Sequence, residues 1–156
     1  MRKLLLIGIG NEMRGDDGLG RHAARILARR SVPGVTVVES AGEGTSLIEL
    51  WKGHDQVLLI DAFSSDSTPG LLHSIDVSIT RVPHQLFHAS SHSFGIAEAI
   101  EVSRKLDILP TTVFIYGIEG ENFGLGSGLS ESVSEKINDL LDVIEEKMQE
   151  LLHEKP

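Results

Sequence analysis

Short apolar runs alternate along this chain with segments of helical hydrophobic period, and that alternation most constrains its fold. Residues 4–8, 35–39, 56–61 and 112–118 read as strands, the first a short apolar run ending in glycine and the third the apolar run Val57–Ile60 ending at Asp61. Between and after them come helical patterns over 18–30, 45–51, 94–106 and 132–152. In the first helical segment Leu19, Ala23, Ile26 and Leu27 share a face opposite Arg21, Arg25, Arg29 and Arg30. Residues 71–79 alternate weakly and read as an edge strand. The order strand–helix–strand–helix–strand–edge strand–helix–strand–helix implies an α/β domain with a mainly parallel sheet and helices on both faces. Apolar central runs agree, because parallel strands are buried on both sides. Ligands of such sheets gather outside the carboxyl ends of the strands. Three places qualify: the turn after the first strand, the end of the third, and the approach to the helix at 94.

The chain has 156 residues, enough for one domain over 1–156, and no internal repeat or linker divides it. A chain of this size buries about 70% of its unfolded surface, so a core is available without covalent staples. There is no cysteine, which excludes disulfides, a thiolate nucleophile, iron–sulfur clusters and cysteine zinc sites. Fourteen lysines and arginines face 23 aspartates and glutamates, a net charge of −9. That balance argues against nucleic acid as a partner, because phosphate neutralisation needs a basic face. The arginine row reads as a solvated helix face. No apolar run reaches the roughly 20 residues of a membrane span. The apolar start ends at Gly8, Gly10 and Asn11 without a cleavage site, so it reads as a strand, and the cytoplasm is the expected location. No exposed apolar seam is evident, and a monomer is expected.

The turn after the first strand reads Gly8-Ile9-Gly10-Asn11-Glu12-Met13-Arg14-Gly15-Asp16-Asp17-Gly18. A dinucleotide fingerprint would place glycine where Met13 stands, and Glu12, Asp16 and Asp17 would repel a pyrophosphate. One of the adjacent aspartates can cap the following helix, which leaves the other for a different task. Asp61 ends the third strand, where it can reach a ligand crevice or form a turn toward Ser64 or Ser65. Residues 83–93 hold His84, His88 and His92 at every fourth position, but Pro83 and the serines around them do not favour a helix there. A single histidine beside the crevice is the expected ligand. One imidazole and two carboxylates suit a zinc-, nickel- or iron-type ion better than magnesium. No Gly-x-Ser-x-Gly elbow supports a serine hydrolase. Ser132 with Glu135 three residues on forms a capping-box pattern for the last helix.

Four segments together resemble the hydrogenase maturation proteases. They are Gly8-x-Gly10-Asn11, four residues, then Asp16-Asp17-Gly18-x-Gly20; Leu58-Leu59-Ile60-Asp61-Ala62; Ser91-His92-Ser93-Phe94-Gly95-Ile96-Ala97-Glu98; and Tyr116-Gly117-Ile118-Glu119-Gly120. Each is weak alone; their order and spacing over nearly the whole chain are specific. The resemblance implies a three-layer α/β/α sandwich with a sheet of about five strands, one of them antiparallel. It implies an endopeptidase that removes the C-terminal extension of a nickel–iron hydrogenase large-subunit precursor once nickel is in place. The nickel would come with the substrate, and no organic cofactor is implied. Asp17, Asp61 and His92 map to the metal-contacting and catalytic positions. The first position is glutamate in some members, so the shorter Asp17 must sit closer to the metal, with Asp16 or Glu12 as the alternative donor.

Two further functions fit the sequence less closely. One is a non-catalytic checkpoint that binds the loaded precursor without cutting it. The other is a nucleotide-binding regulator, which would be stabilised by nucleotide.

Overall fold

The structure, a computed structural model, describes residues 2–87 and 93–155. Five strands form one sheet: β1 (Leu4–Ile9), β2 (Val35–Ser40), β3 (Gln56–Phe63), β4 (Leu72–Asp76) and β5 (Thr112–Glu119). Their spatial order is β2-β1-β3-β5-β4. β4 alone is antiparallel, paired with β5 as the edge strand its weak alternation predicts. The other pairs are parallel. Every residue of β1 and β3 is buried, which is why their centres, Leu4–Ile7 and Val57–Ile60, read as apolar runs.

The helices are α1 (Leu19–Arg30), α2 (Gly44–Trp51), α3 (Ile96–Lys105), α4 (Glu131–Ser134) and α5 (Ile137–Leu152). Alternate strand residues separate two cores. Leu6, Leu58 and Ile60 pack with α1 and α5, whereas Ile7, Leu59 and Ile115 pack with α2 and α3. The molecule is therefore the expected three-layer α/β/α sandwich. Burying one Leu or Ile side chain contributes about 1.5–3 kcal/mol, so the paired cores supply the main stabilising term.

Two helix starts differ from the sequence reading. Neither Asp16 nor Asp17 caps α1: a 3-10 turn over Gly15–Gly18 precedes it, and Gly18 is its N-cap. The final helix is two helices, and its cap is Ser130, whose Oγ accepts from Val133 N. Ser132 Oγ instead donates to Glu121. The short α4 is fastened through Ser130 to Asp16, while α5 follows the apolar face that covers the sheet. Elsewhere α2 starts at Glu43, whose carboxylate accepts from Thr45 N and Ser46 N. These bonds to the charged form hold the Glu43 carboxyl down at about 2.

The glycines of the first turn serve packing. A side chain at Gly20 would strike the carbonyl oxygens of Ile9 and Ile60, so its absence lets α1 lie directly on β1 and β3. That contact sets where the chain between β1 and α1 sits at the carboxyl end of the sheet.

Candidate active site

β1 connects through α1 to β2 on one side, and β2 returns through α2 to β3 on the other. The boundary between β1 and β3 is thus a topological switch point, where the loops diverge and leave a crevice. Asp61 and Asp17 are both at this boundary.

Asp61 lies near the carboxyl end of β3 and is 6% exposed. Its strand neighbours of the same parity, Leu59 and Phe63, belong to the α2/α3 core, so Asp61 faces that side. Its Oδ1 accepts from Ala62 N at 2.7 Å rather than forming a turn to Ser64 or Ser65. Asp17 comes from the 3-10 turn, is 8% exposed, and accepts from Asn11 N at 2.8 Å through Oδ2. Gly10 lies between them: a Cβ there would overlap the Asp17 carbonyl oxygen and stand 3.7 Å from Asp61 Oδ1.

Burial pushes the Asp61 carboxyl well above the ordinary carboxylate range, and the nearby charge of Asp17 pushes it further. The bond from Ala62 N opposes this without cancelling it. Two carboxyl groups in one dry place cannot both ionise cheaply unless a cation joins them. The pair is suited to accept a cation or to hold a proton between two acids. It is unsuited to a pyrophosphate, and the amide of Asn11 that could cradle one is committed to Asp17.

The alternative donors are engaged elsewhere. Asp16 is fully buried and accepts four hydrogen bonds, from Glu121 N, Asn122 N, Ser130 N and Ser130 Oγ, at 2.7–2.9 Å. Glu12 is exposed and paired with Arg25, which lowers its carboxyl below the usual range. Arg25 and Arg21 also hold Glu39, so part of the arginine row is an ion-pair network with the first turn and β2.

His92 and His88 lie outside the described residues. His84 is exposed and begins a 3-10 turn that ends at Leu86, followed by extended Phe87, so the every-fourth spacing does not open on a helix face. Phe94, two positions after His92, accepts from Gly44 N at the start of α2. Among the described residues no three His, Asp or Glu side chains converge as a metal cluster.

One polar cluster escaped the sequence reading. Glu119, 3% exposed at the end of β5, accepts from Ser65 N, Ser65 Oγ and His73 Nε2. The signal was available: Glu119, like Asp61, is a carboxylate that directly follows the apolar run of a buried strand.

Fold and site together define an α/β protein with paired buried carboxyls at the switch point of its sheet. Solved structures with this fold include the hydrogenase maturating endopeptidase HybD of E. coli (TM-score 0.82, 22% identity, 96% of this chain and 93% of that one). Another is the [NiFe] hydrogenase maturation protease HybD of Thermococcus kodakarensis (TM-score 0.73, 26% identity, 94% and 98%). A Methanocaldococcus jannaschii protein, assigned by its name to the hydrogenase maturation proteases, is 25% identical over 150 residues, covering 92% of this chain and 94% of its own. The hydrogenase expression/formation protein HupD of Thiocapsa roseopersicina is 24% identical over 146 residues, and the match covers 90% of this chain and 65% of that longer relative. The family model described as hydrogenase maturation protease matches residues 21–147. The chain belongs to the hydrogenase maturation protease family. Among the described residues no helix is long and apolar enough to cross a membrane.

Proposed function

We propose that this protein is an endopeptidase that removes the C-terminal extension of a nickel-loaded hydrogenase large-subunit precursor. The observation that carries the reading is the buried juxtaposition of Asp61 and Asp17 at the switch point. A carboxyl pair held this way suits a cation, and in this reading the substrate brings that cation. Asp17, Asp61 and His92 dock on the nickel of the precursor, which sets the scissile bond in register. Cleavage then waits on metal loading, since an unloaded precursor offers the pair nothing to bind. Hydrolysis adds one water across the peptide bond, leaving a new carboxylate on the subunit and a released peptide amine. Positioning of the scissile bond supplies a large part of the rate, because orientation alone contributes several kcal/mol.

Intact mass of a cognate precursor, loaded and nickel-free, incubated with this protein tests the reading. Loss of a C-terminal peptide from the loaded form alone is the expected result. A stable complex without mass change would identify the non-catalytic checkpoint instead. Cleavage of both forms alike would remove nickel from the recognition step.

A further inference from the structure

The Glu119 cluster lies on the same face of the sheet as Asp61, one strand away. Glu119 is in register with Phe63, two residues beyond Asp61, and Gly117 is in register with Asp61 itself. Two residues along a strand are about 7 Å, so the cluster is a neighbour of the carboxyl pair. Its assembly depends on Gly117. A side chain there would strike the Phe63 ring and the Asp61 carbonyl oxygen. Without one, Phe63 leans across β5 and stacks on His73 of β4 at 4.3 Å between ring centroids, 9° from parallel. Stacking fixes the imidazole, and His73 Nε2 then meets Glu119 Oε1 at 3.0 Å. The same oxygen accepts from Ser65 Oγ at 2.6 Å, and Oε2 accepts from Ser65 N at 2.8 Å. Ser67 Oγ lies 3.1 Å from Ser65 Oγ.

These bonds hold the first part of the β3–β4 connection, residues 64–71, at Ser65 and through it Ser67. Its ends are held by main-chain bonds, Ser64 N to Leu86 O and Gly70 N to Glu119 O. Ser65 has no strand partner, and the buried carboxyl is what fixes it. Burying an acid beside a histidine is a poor way to gain stability, since apolar groups of that volume do as well or better. The arrangement makes sense where a loop must keep one position.

We propose that Glu119 is a positioning residue: through Ser65, and with His73 fixed by stacking, it holds loop 64–70 as a rigid wall of the groove that receives the extended C-terminal tail of the substrate beside Asp61. This rests on the proposed endopeptidase reading. Glu119 touches neither metal nor scissile bond, so its loss weakens the grip on the tail and spares the chemical step.

The test uses the whole protein with Glu119→Gln and, as a milder change at a half-buried position, Ser65→Ala. Steady-state processing of the loaded precursor is measured together with amide hydrogen exchange at Ser65. Both variants are expected to raise KM about tenfold with kcat within about twofold, the size that follows from losing a hydrogen bond to a charged group. In Glu119→Gln the Ser65 amide should exchange about tenfold faster. Unchanged KM in both variants overturns the proposal, whatever the exchange. So does a fall in kcat at constant KM, which would place Glu119 in the chemistry. If wild type fails to cleave a verified loaded precursor, the endopeptidase reading fails by itself. The Kd for that precursor then replaces KM: weaker binding by Ser65→Ala sustains the wall, and equal or absent binding overturns it.

Discussion

Asp16 and Asp17 are chain neighbours with opposite commitments. The Asp16 carboxylate is turned into the protein and stitches loop 121–130 to the first turn. The Asp17 carboxylate bonds back to Asn11 and lies close enough to Asp61 to raise its pKa. One side chain builds the turn, and the other is delivered by it.

Asp16→Asn removes the charge from four donors and leaves one acceptor oxygen for them. Unpaired buried donors cost about 1–3 kcal/mol each, so a loss of about 2–4 kcal/mol is expected in urea unfolding. Hydrogen-exchange protection should fall first at Glu121 and Asn122. Retention of wild-type stability would show that the loop holds itself.

Asp61→Asn should stabilise the fold while abolishing processing. Its carboxyl titrates higher in the folded protein than in the unfolded chain. The unfolded state therefore loses its proton first, from about pH 4, and wild-type stability drops as pH rises above that value. Asparagine keeps the shape without the charge, and one pKa unit of mismatch is about 1.4 kcal/mol. Melting curves of both proteins between pH 3 and about pH 8 should diverge as pH rises, the variant being the more stable. Superimposable curves would contradict the account of Asp61, and full processing by the variant would remove it from the site.

Gly20→Ala puts a methyl group against the carbonyl oxygens of Ile9 and Ile60. Backbone cannot move aside as a side chain can, so a loss of about 1–3 kcal/mol or more is expected, as for other overpacked contacts. Because α1 carries the turn that holds Asp17, processing should fall by more than the folded fraction does. Denaturant unfolding alongside activity at matched folded protein separates the two effects.

Glu12→Gln should leave processing unchanged, because that carboxylate is exposed and bound to Arg25. Its midpoint in urea should stay within error of wild type, as for exposed ion pairs generally. A large drop in turnover would make Glu12 a donor to the metal and displace Asp17 from that role.

Much of this protein was legible in its sequence. The β1 and β3 runs, the edge strand β4 and the helices α1, α2, α3 and α5 follow from local hydrophobic period, which depends on neighbours along the chain. The switch-point rule then put Asp61 at a crevice, since a strand ending in a carboxylate has few other places to send it. Periodicity could not assign Asp16 and Asp17. Adjacent and chemically identical, they are told apart only by where folding sends them: Asp16 to Glu121, Asn122 and Ser130, more than a hundred residues on, and Asp17 to Asn11 and the crevice beside Asp61. The same holds for Ser130 as the cap in place of Ser132, and for Glu119, His73 and Ser65, which meet only because Gly117 lets two rings stack across a strand. The sequence by itself determined which segments are strands and helices and which faces are buried. The tertiary structure decided which polar groups meet, because a buried carboxyl takes whatever donors the packing of distant segments brings to it.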